Sequence, residues 1–250
     1  MPHRPVPRQQ PTGQDDQELL NILAHELRRP LTALLGALAT LQHRQQTLSS
    51  LQQQELLGIA RRQGEQLGRF LEQILTAASL DPSHARLAHR SLVDGAVLAE
   101  EAGAAARLAH PDHPITIEAV GPLLVRADPL AISRILGNLL DNAAAYSPQG
   151  AGIRLSASRD GRHAVFAVQD QGPGIPPADR DRIFQRYTRL NPPTASPGAG
   201  LGLGLYIARR LAHANQGELQ VTNLPGRPGT RFELRLPLTS SMPPIDDRTG

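Results

Sequence analysis

The sequence predicts an α + α/β protein: an antiparallel helical hairpin that dimerises into a four-helix bundle, followed by a mixed α/β domain. Two successive heptad seams predict the first part. A switch near residue 91 to strands and helices in alternation predicts the second, together with a Gly/Pro-rich stretch over residues 171–204. The length of 250 residues suits one large or two small domains. Hydrophobic residues make up 40% but aromatics only 3%, so Leu, Ala, Ile and Val must supply the core.

Residues 1–14 carry four prolines and no apolar period, and are expected to form a disordered arm. Leu20, Ala24, Leu27, Leu31, Leu34, Leu38 and Leu41 then advance in steps of four and three, which places them on one helix face. Ser50 and Gln53 stand in capping-box register for a second helix. Its seam runs through Leu56, Ala60, Gln63, Leu67, Phe70, Ile74 and Ala77 and stops at Asp81-Pro82. The hairpin is thus expected over residues 15–81, with a linker at 82–90. One hairpin covers its seams poorly, and pairing into a four-helix bundle remedies this; packing on its own second domain is the alternative.

The α/β domain is expected over residues 91–238, with a flexible tail at 239–250. Its pattern predicts a helix over 91–108, strands at 115–120 and 123–126, and a helix from Asp128-Pro129 to Tyr146. Strands at 153–158 and 163–168 flank the turn at Asp160-Gly161. A short helix at 179–186, a helix over 203–214 and strands at 218–222 and 231–236 complete it.

All 26 basic side chains are arginine, and cysteine is absent. Without lysine there is no phosphate-loop or eukaryotic-type kinase lysine and no Schiff base; without cysteine there are no disulfides, thiol nucleophiles or cysteine–zinc sites. The pI near 10.1 reflects a net charge of only +3 that persists because little titrates between neutrality and pH 10. It does not indicate a nucleic-acid partner, since the arginines are scattered and no recognition motif appears. The longest strongly apolar stretch, residues 31–41, is too short to span a bilayer and no signal peptide is visible, so the expected location is the cytoplasm.

Four constellations carry chemistry. His25-Glu26 lies off the first seam; a neutral imidazole can attack phosphorus while a neighbouring carboxylate takes its other proton. Read alone, such a pair is far more often an ordinary solvated one. Pro30 follows one turn later and should bend the helix. Asn138 and Asn142, four apart on one helix face, offer amide oxygens to a hard cation such as Mg²⁺, or are simply surface. Asp170-Gln171-Gly172-Pro173-Gly174 follows a strand, so its carboxylate can accept from an exocyclic amine such as adenine's. Gly198 to Leu205 alternates glycine and opens a helix whose N–H groups can bind phosphate. It follows a proline-rich loop rather than a strand, which excludes a dinucleotide fold and suits a lid over a nucleotide.

In this order these residues resemble the transmitter module of bacterial two-component sensor histidine kinases. Residues 25–32 resemble its phosphoacceptor box, 138–148 the asparagine box and 170–176 the first glycine box. Residues 184–189 resemble the phenylalanine box, 200–205 the second glycine box and 229–232 the late Gly-Thr-x-Phe element. Asp128 matches an aspartate often found before the asparagine box. The resemblance covers about residues 17–237.

It implies an α/β-sandwich domain that binds ATP and Mg²⁺, and a protein histidine kinase: His25 would receive the γ-phosphoryl group with Glu26 as base. Asn142, assisted by Asn138, would hold Mg²⁺, and Asp170 would recognise adenine. Tyr146, Gly172, Gly174, Arg189, Gly200, Gly202, Leu203, Gly204 and Thr230 would complete the ATP site, with Arg189 on the γ-phosphate. The partners implied are a response-regulator receiver domain and a second copy of the chain. Three departures stand out. Arg29 occupies a position often Thr or Asn, so weak regulator phosphatase activity is expected. Ala145 replaces a common basic residue, removing one phosphate contact. No sensory region is visible, so a sensory partner in trans is expected if Met1 is the start. The alternatives are a catalytically silent dimeric adaptor of the same fold, or an ATPase of the related gyrase/chaperone superfamily.

Overall fold

The computed structural model of the protein describes residues 13–44, 47–79, 90–190 and 201–239. The arm over 1–12, the stop at Asp81-Pro82, most of the linker and the last eleven residues lie outside that range. Two compact units divide between Glu72 and Gln73.

The first unit is built on α1 (Gly13–Arg44), a continuous helix with Pro30 inside it, and most of α2 (Ser50–Ser79), whose residues from Gln73 onward belong to the second unit. On α2 the residues shielded from solvent follow the predicted seam, with Ala60, Phe70 and Ala77 buried. On α1 the seam differs. The shielded line is Leu23, Leu27, Pro30, Leu34, Ala37 and Leu41, whereas the predicted Ala24, Leu31 and Leu38 are exposed, the two leucines at 45% each. Two apolar lines run side by side on α1 and the heptad template fits both, so periodicity alone does not choose between them. The capping box is also one residue earlier than expected. Ser49 Oγ accepts from the Gln52 backbone N–H at 3.3 Å, and Gln52 Oε1 accepts from the Ser49 N–H at 2.9 Å.

The second unit opens with a correction. Residues 91–94 are not the start of a helix but a strand, β1 (Ser91–Asp94), paired antiparallel with β3 (Leu124–Ala127). That long-range pairing overrides the local helical pattern. Asp94 ends the strand and caps α3 (Gly95–Ala109): its Oδ1 accepts from Ala96 N and from Leu123 N, each at 2.9 Å. β2 (Ile115–Ala119), α4 (Pro129–Tyr146), β4 (Ile153–Asp160), β5 (His163–Gln169), α5 (Gly204–Ala214), β6 (Glu218–Asn223) and β7 (Thr230–Pro237) fall close to expectation. The expected helix over 179–186 is instead two 3₁₀ turns, Pro177–Asp179 and Arg182–Phe184, neither with a side-chain cap. Leu238 bridges to Val125 and Thr239 N donates to Leu124 O, so the chain just after β7 is tied down rather than loose.

The main sheet has strand order β2-β4-β5-β7-β6, with only β2 and β4 parallel. The three helices form a layer over it, α4 touching α3, α5, β4 and β5. Ile132, Ile135, Leu136, Leu139 and Leu140 of α4 are fully buried, as are Leu155, Phe166, Phe232 and Leu234 of the sheet. These side chains recur at helical and strand periods respectively, which makes the sandwich core. On the opposite face of β5, Val165 and Ala167 are also buried. Their neighbours Arg235 and Glu233 on β7 are linked by an ion pair of 2.9 Å, and Arg231 pairs with the same glutamate at 2.9 Å. The arginine stems cover apolar surface there while their heads remain wet.

Candidate functional site

The end of β5 and the start of β7 place Asp170 beside Thr230. Asp170 is 3% exposed, and its Oδ1 accepts from Gly172 N at 2.8 Å and Thr230 N at 3.0 Å. Its own N–H donates to Thr230 O at 3.0 Å. Burial pushes the carboxyl above its usual range, while the Gly172 and Thr230 N–H groups and the Thr230 hydroxyl pull the other way. An ionised carboxylate has about four lone-pair sites, so these donors leave capacity for an incoming amine.

Gly229 was singled out only within the late Gly-Thr-x-Phe element, yet it decides whether Asp170 can sit there. Its φ is 133°, and a Cβ would collide with the Asp170 carbonyl oxygen. Gly172 is buried against the end of α4, where a Cβ would lie 2.9 Å from Tyr146 O. Gly174 stands against Asn223, whose Oδ1 accepts from Ile175 N at 2.9 Å. Asn223 was missed by the sequence reading, because an Asn at a strand end gives no signal of which loop it holds.

Asn138, Asn142 and Tyr146 occupy successive turns of α4, all half-buried. Asn138 faces the start of α5: its Oδ1 lies 3.5 Å from where a Cβ on Gly204 would stand. Its Nδ2 is buried and makes no hydrogen bond, a donor in want of an acceptor. α5 has no side-chain N-cap, so its first N–H groups are likewise open to an anion. Leu203, immediately before it, is fully buried. Gly202 has φ of 67° and packs against the Tyr187–Thr188 backbone, where a Cβ would come within 2.8 Å of Tyr187 C. Its carbonyl accepts from Tyr187 N at 2.9 Å. Gly200 lies outside the described residues.

Two arginine–aromatic contacts, neither foreseen, join the 3₁₀ segment to α5. Arg209 stacks over Phe184 at 4.8 Å, and Phe184 meets Phe232 edge-on at 6.4 Å. Arg186 stacks over Tyr206 at 4.8 Å and donates Nη2–H to its hydroxyl at 2.9 Å. Arg189 is half-buried and already engaged within the protein.

The structure therefore brings Asn138, Asn142, Tyr146, Asp170, Gly172, Gly174, Gly202, Leu203, Gly204 and Thr230 into one unit with the polarity expected of a nucleotide site. An unpaired amide donor and an uncapped helix start fit phosphate. Among the described residues no cluster of three or more His, Cys, Asp or Glu is placed to hold a metal. The side-chain oxygens of Asn138 and Asn142 are groups that could hold a hard cation. A shallow depression of about 270 Å³ between α3 and α4, lined by Ala102, Ala105, Ser133, Gly137 and Asp141, is separate and mostly apolar. His25, on the other unit, is exposed on α1, and Glu26 beside it is half-buried and engaged.

Two family models match: "His Kinase A (phospho-acceptor) domain" over residues 15–83 and "Histidine kinase-, DNA gyrase B-, and HSP90-like ATPase" over residues 127–240. The adaptive-response sensory kinase SasA of Thermosynechococcus vestitus is 36% identical over 231 residues, covering 89% of this chain and 60% of that protein. The sensor protein IrlS of Burkholderia pseudomallei is 32% identical, covering 86% of this chain and 46% of that protein. The chain thus spans about half the length of the curated relatives it matches. A solved structure of the mycobacterial sensor histidine kinase MprB is 31% identical with a TM-score of 0.54, covering 60% of this chain and 98% of that one. With a phosphoacceptor hairpin and an ATPase-type sandwich in that order along one polypeptide, the chain belongs to the two-component sensor histidine kinases and carries their transmitter module.

Proposed function

We propose that this protein is an ATP-dependent histidine autokinase that phosphorylates His25 and passes the phosphoryl group to an aspartate of a response regulator. The observation that carries this reading is the pairing, in one chain, of an exposed His25-Glu26 on the phosphoacceptor helix with a buried Asp170 cradle on the ATPase-type unit. Asp170 accepts the adenine amine. The Asn138 amide and the first N–H groups of α5 bind phosphate oxygens, and Arg189 turns to the γ-phosphate in the reacting state. Asn142, assisted by Asn138, would hold Mg²⁺, which when bound would neutralise charge on the transferred phosphate.

One ring nitrogen of His25 forms the N–P bond with its lone pair as the bond from phosphorus to the bridging oxygen breaks. ADP leaves with that electron pair, and Glu26 takes the proton of the other ring nitrogen. In the second step a regulator carboxylate displaces the imidazole from phosphorus. The working form is a homodimer in the cytoplasm, receiving its signal from a sensory region or partner. Among the described residues no helix is long and apolar enough to cross a membrane. Arg29 makes regulator phosphatase activity weak, because a guanidinium cannot position water as a small hydroxyl or amide does.

Incubation with γ-labelled ATP and Mg²⁺ is the test. Acid-labile label on wild type, abolished in His25→Gln, is expected. Nucleotide binding without label would instead mark a silent adaptor, and ATP turnover that survives His25→Gln would mark an ATPase.

A further inference from the structure

We propose that Arg29 is the cation that holds the phosphoryl group once it is on His25, so that this chain's phosphohistidine is unusually long-lived. The proposal rests on His25 being the phosphoacceptor.

The shielded line of α1 sets the rotation of the helix. Leu23, Leu27, Pro30, Leu34, Ala37 and Leu41 define its covered face. At about 100° per residue, His25 projects about 160° from the centre of that face, and Arg29 lies about 40° from His25, one turn on. Both are exposed. Helical side chains lean toward the N-terminus, so the Arg29 guanidinium is carried back over His25 rather than away from it.

The same geometry separates Arg29 from its neighbour. Ala24, Leu31, Leu35 and Leu38 form a second, exposed apolar line, centred about 90° from the covered face by the same rotation. Arg28 falls on the flank of that line and Arg29 well clear of it. A partner helix covering the apolar line would crowd Arg28 and leave His25 and Arg29 open. Arg29 also falls between His25 and Glu26 in azimuth. Glu26 helps His25 lose a proton but repels the phosphoryl dianion that follows, and Arg29 offsets that repulsion.

The chemistry then has a definite direction. Phosphohistidine hydrolyses chiefly from its ring-protonated form, in which the imidazole is the better leaving group, and the attached dianion favours that protonation. A guanidinium forked onto the phosphoryl oxygens opposes ring protonation and holds the oxygens in place. It also stabilises the phosphorylated product against return of the phosphoryl group to ADP. No co-reactant is required beyond ATP and the water that eventually hydrolyses the N–P bond.

The experiment labels full-length wild type, Arg29→Gln, Arg29→Lys and Arg28→Gln from γ-labelled ATP, removes nucleotide, and follows loss of acid-labile label at neutral pH. The plateau of labelling at a fixed ATP:ADP ratio is measured beside it. Arg29→Gln is expected to lose label roughly threefold faster and to plateau lower, with Arg29→Lys intermediate and Arg28→Gln near wild type. The difference should shrink as salt rises, because the pair is exposed. Equal lifetimes in wild type and Arg29→Gln, or an equal effect of Arg28→Gln, would overturn the role of Arg29 while label on His25 keeps the kinase reading intact. Absence of label from wild type would instead remove the kinase reading, and the proposal with it.

Discussion

Asp170 shows most clearly how one residue here trades stability for binding. Because burial raises its pKa, the folded protein takes up the proton at a pH where the unfolded chain is still ionised. Protonation therefore favours the fold at low pH, and that contribution is lost as pH rises from the ordinary carboxylate range through the raised value. In its ionised form the buried carboxylate costs the ligand-free domain stability, only partly offset by the N–H groups of Gly172 and Thr230. Asp170→Asn is accordingly expected to unfold in urea at pH 7 with a midpoint equal to or above wild type, while ADP affinity by calorimetry falls roughly tenfold or more. A much lower midpoint with ADP affinity retained would contradict both halves. The carboxylate itself was legible in the sequence, from its place after a strand and before two glycines. Its environment was not, because Thr230 opens, and Gly229 immediately precedes, a strand that pairs with β5 only in the fold.

Among the elements, the junction of β1 and α3 depends on one side chain. Asp94 Oδ1 caps α3 through Ala96 N and also holds Leu123 N beside β3. Asp94→Ala is expected to destabilise the second unit by about 1–2 kcal/mol, read as a lower urea midpoint at unchanged slope, with ADP affinity unaltered. An unchanged midpoint would show that water replaces the cap fully. This is also where local pattern misled: residues 91–94, the last of them the cap itself, read as helix and pair as strand. Elsewhere punctuation was reliable. Asp128-Pro129 opens α4 as expected, Asp128 Oδ1 accepting from Leu130 N at 3.0 Å. The Asp160-Gly161 turn joins β4 to β5 in the expected antiparallel register. Short-range chemistry, caps and turns, is written in adjacent residues, whereas the choice of strand partner is not.

For the whole molecule, the exposed leucines of the hairpin carry the strongest expectation. Leu31, Leu35 and Leu38 on α1 and Leu57, Leu71 and Leu75 on α2 are 45–69% exposed, more apolar surface than a single hairpin can leave to water without cost. Leu31→Glu combined with Leu38→Glu is expected to convert a dimer to a monomer in sedimentation, with ADP binding by the second unit unchanged. Retention of the dimer would place the interface elsewhere. The sequence by itself determined the order of the two units, the composition of the nucleotide boxes and the absence of lysine and cysteine chemistry. These are properties of residue type and spacing along the chain. Only the tertiary structure decided which of two parallel apolar lines on α1 is covered, that residues 91–94 pair as a strand, and that the Asn138 amide is left buried without a partner. The Asn138 amide and the first N–H groups of α5, offered here as the phosphate contacts in the absence of lysine, are far apart in sequence, and only the fold places them together.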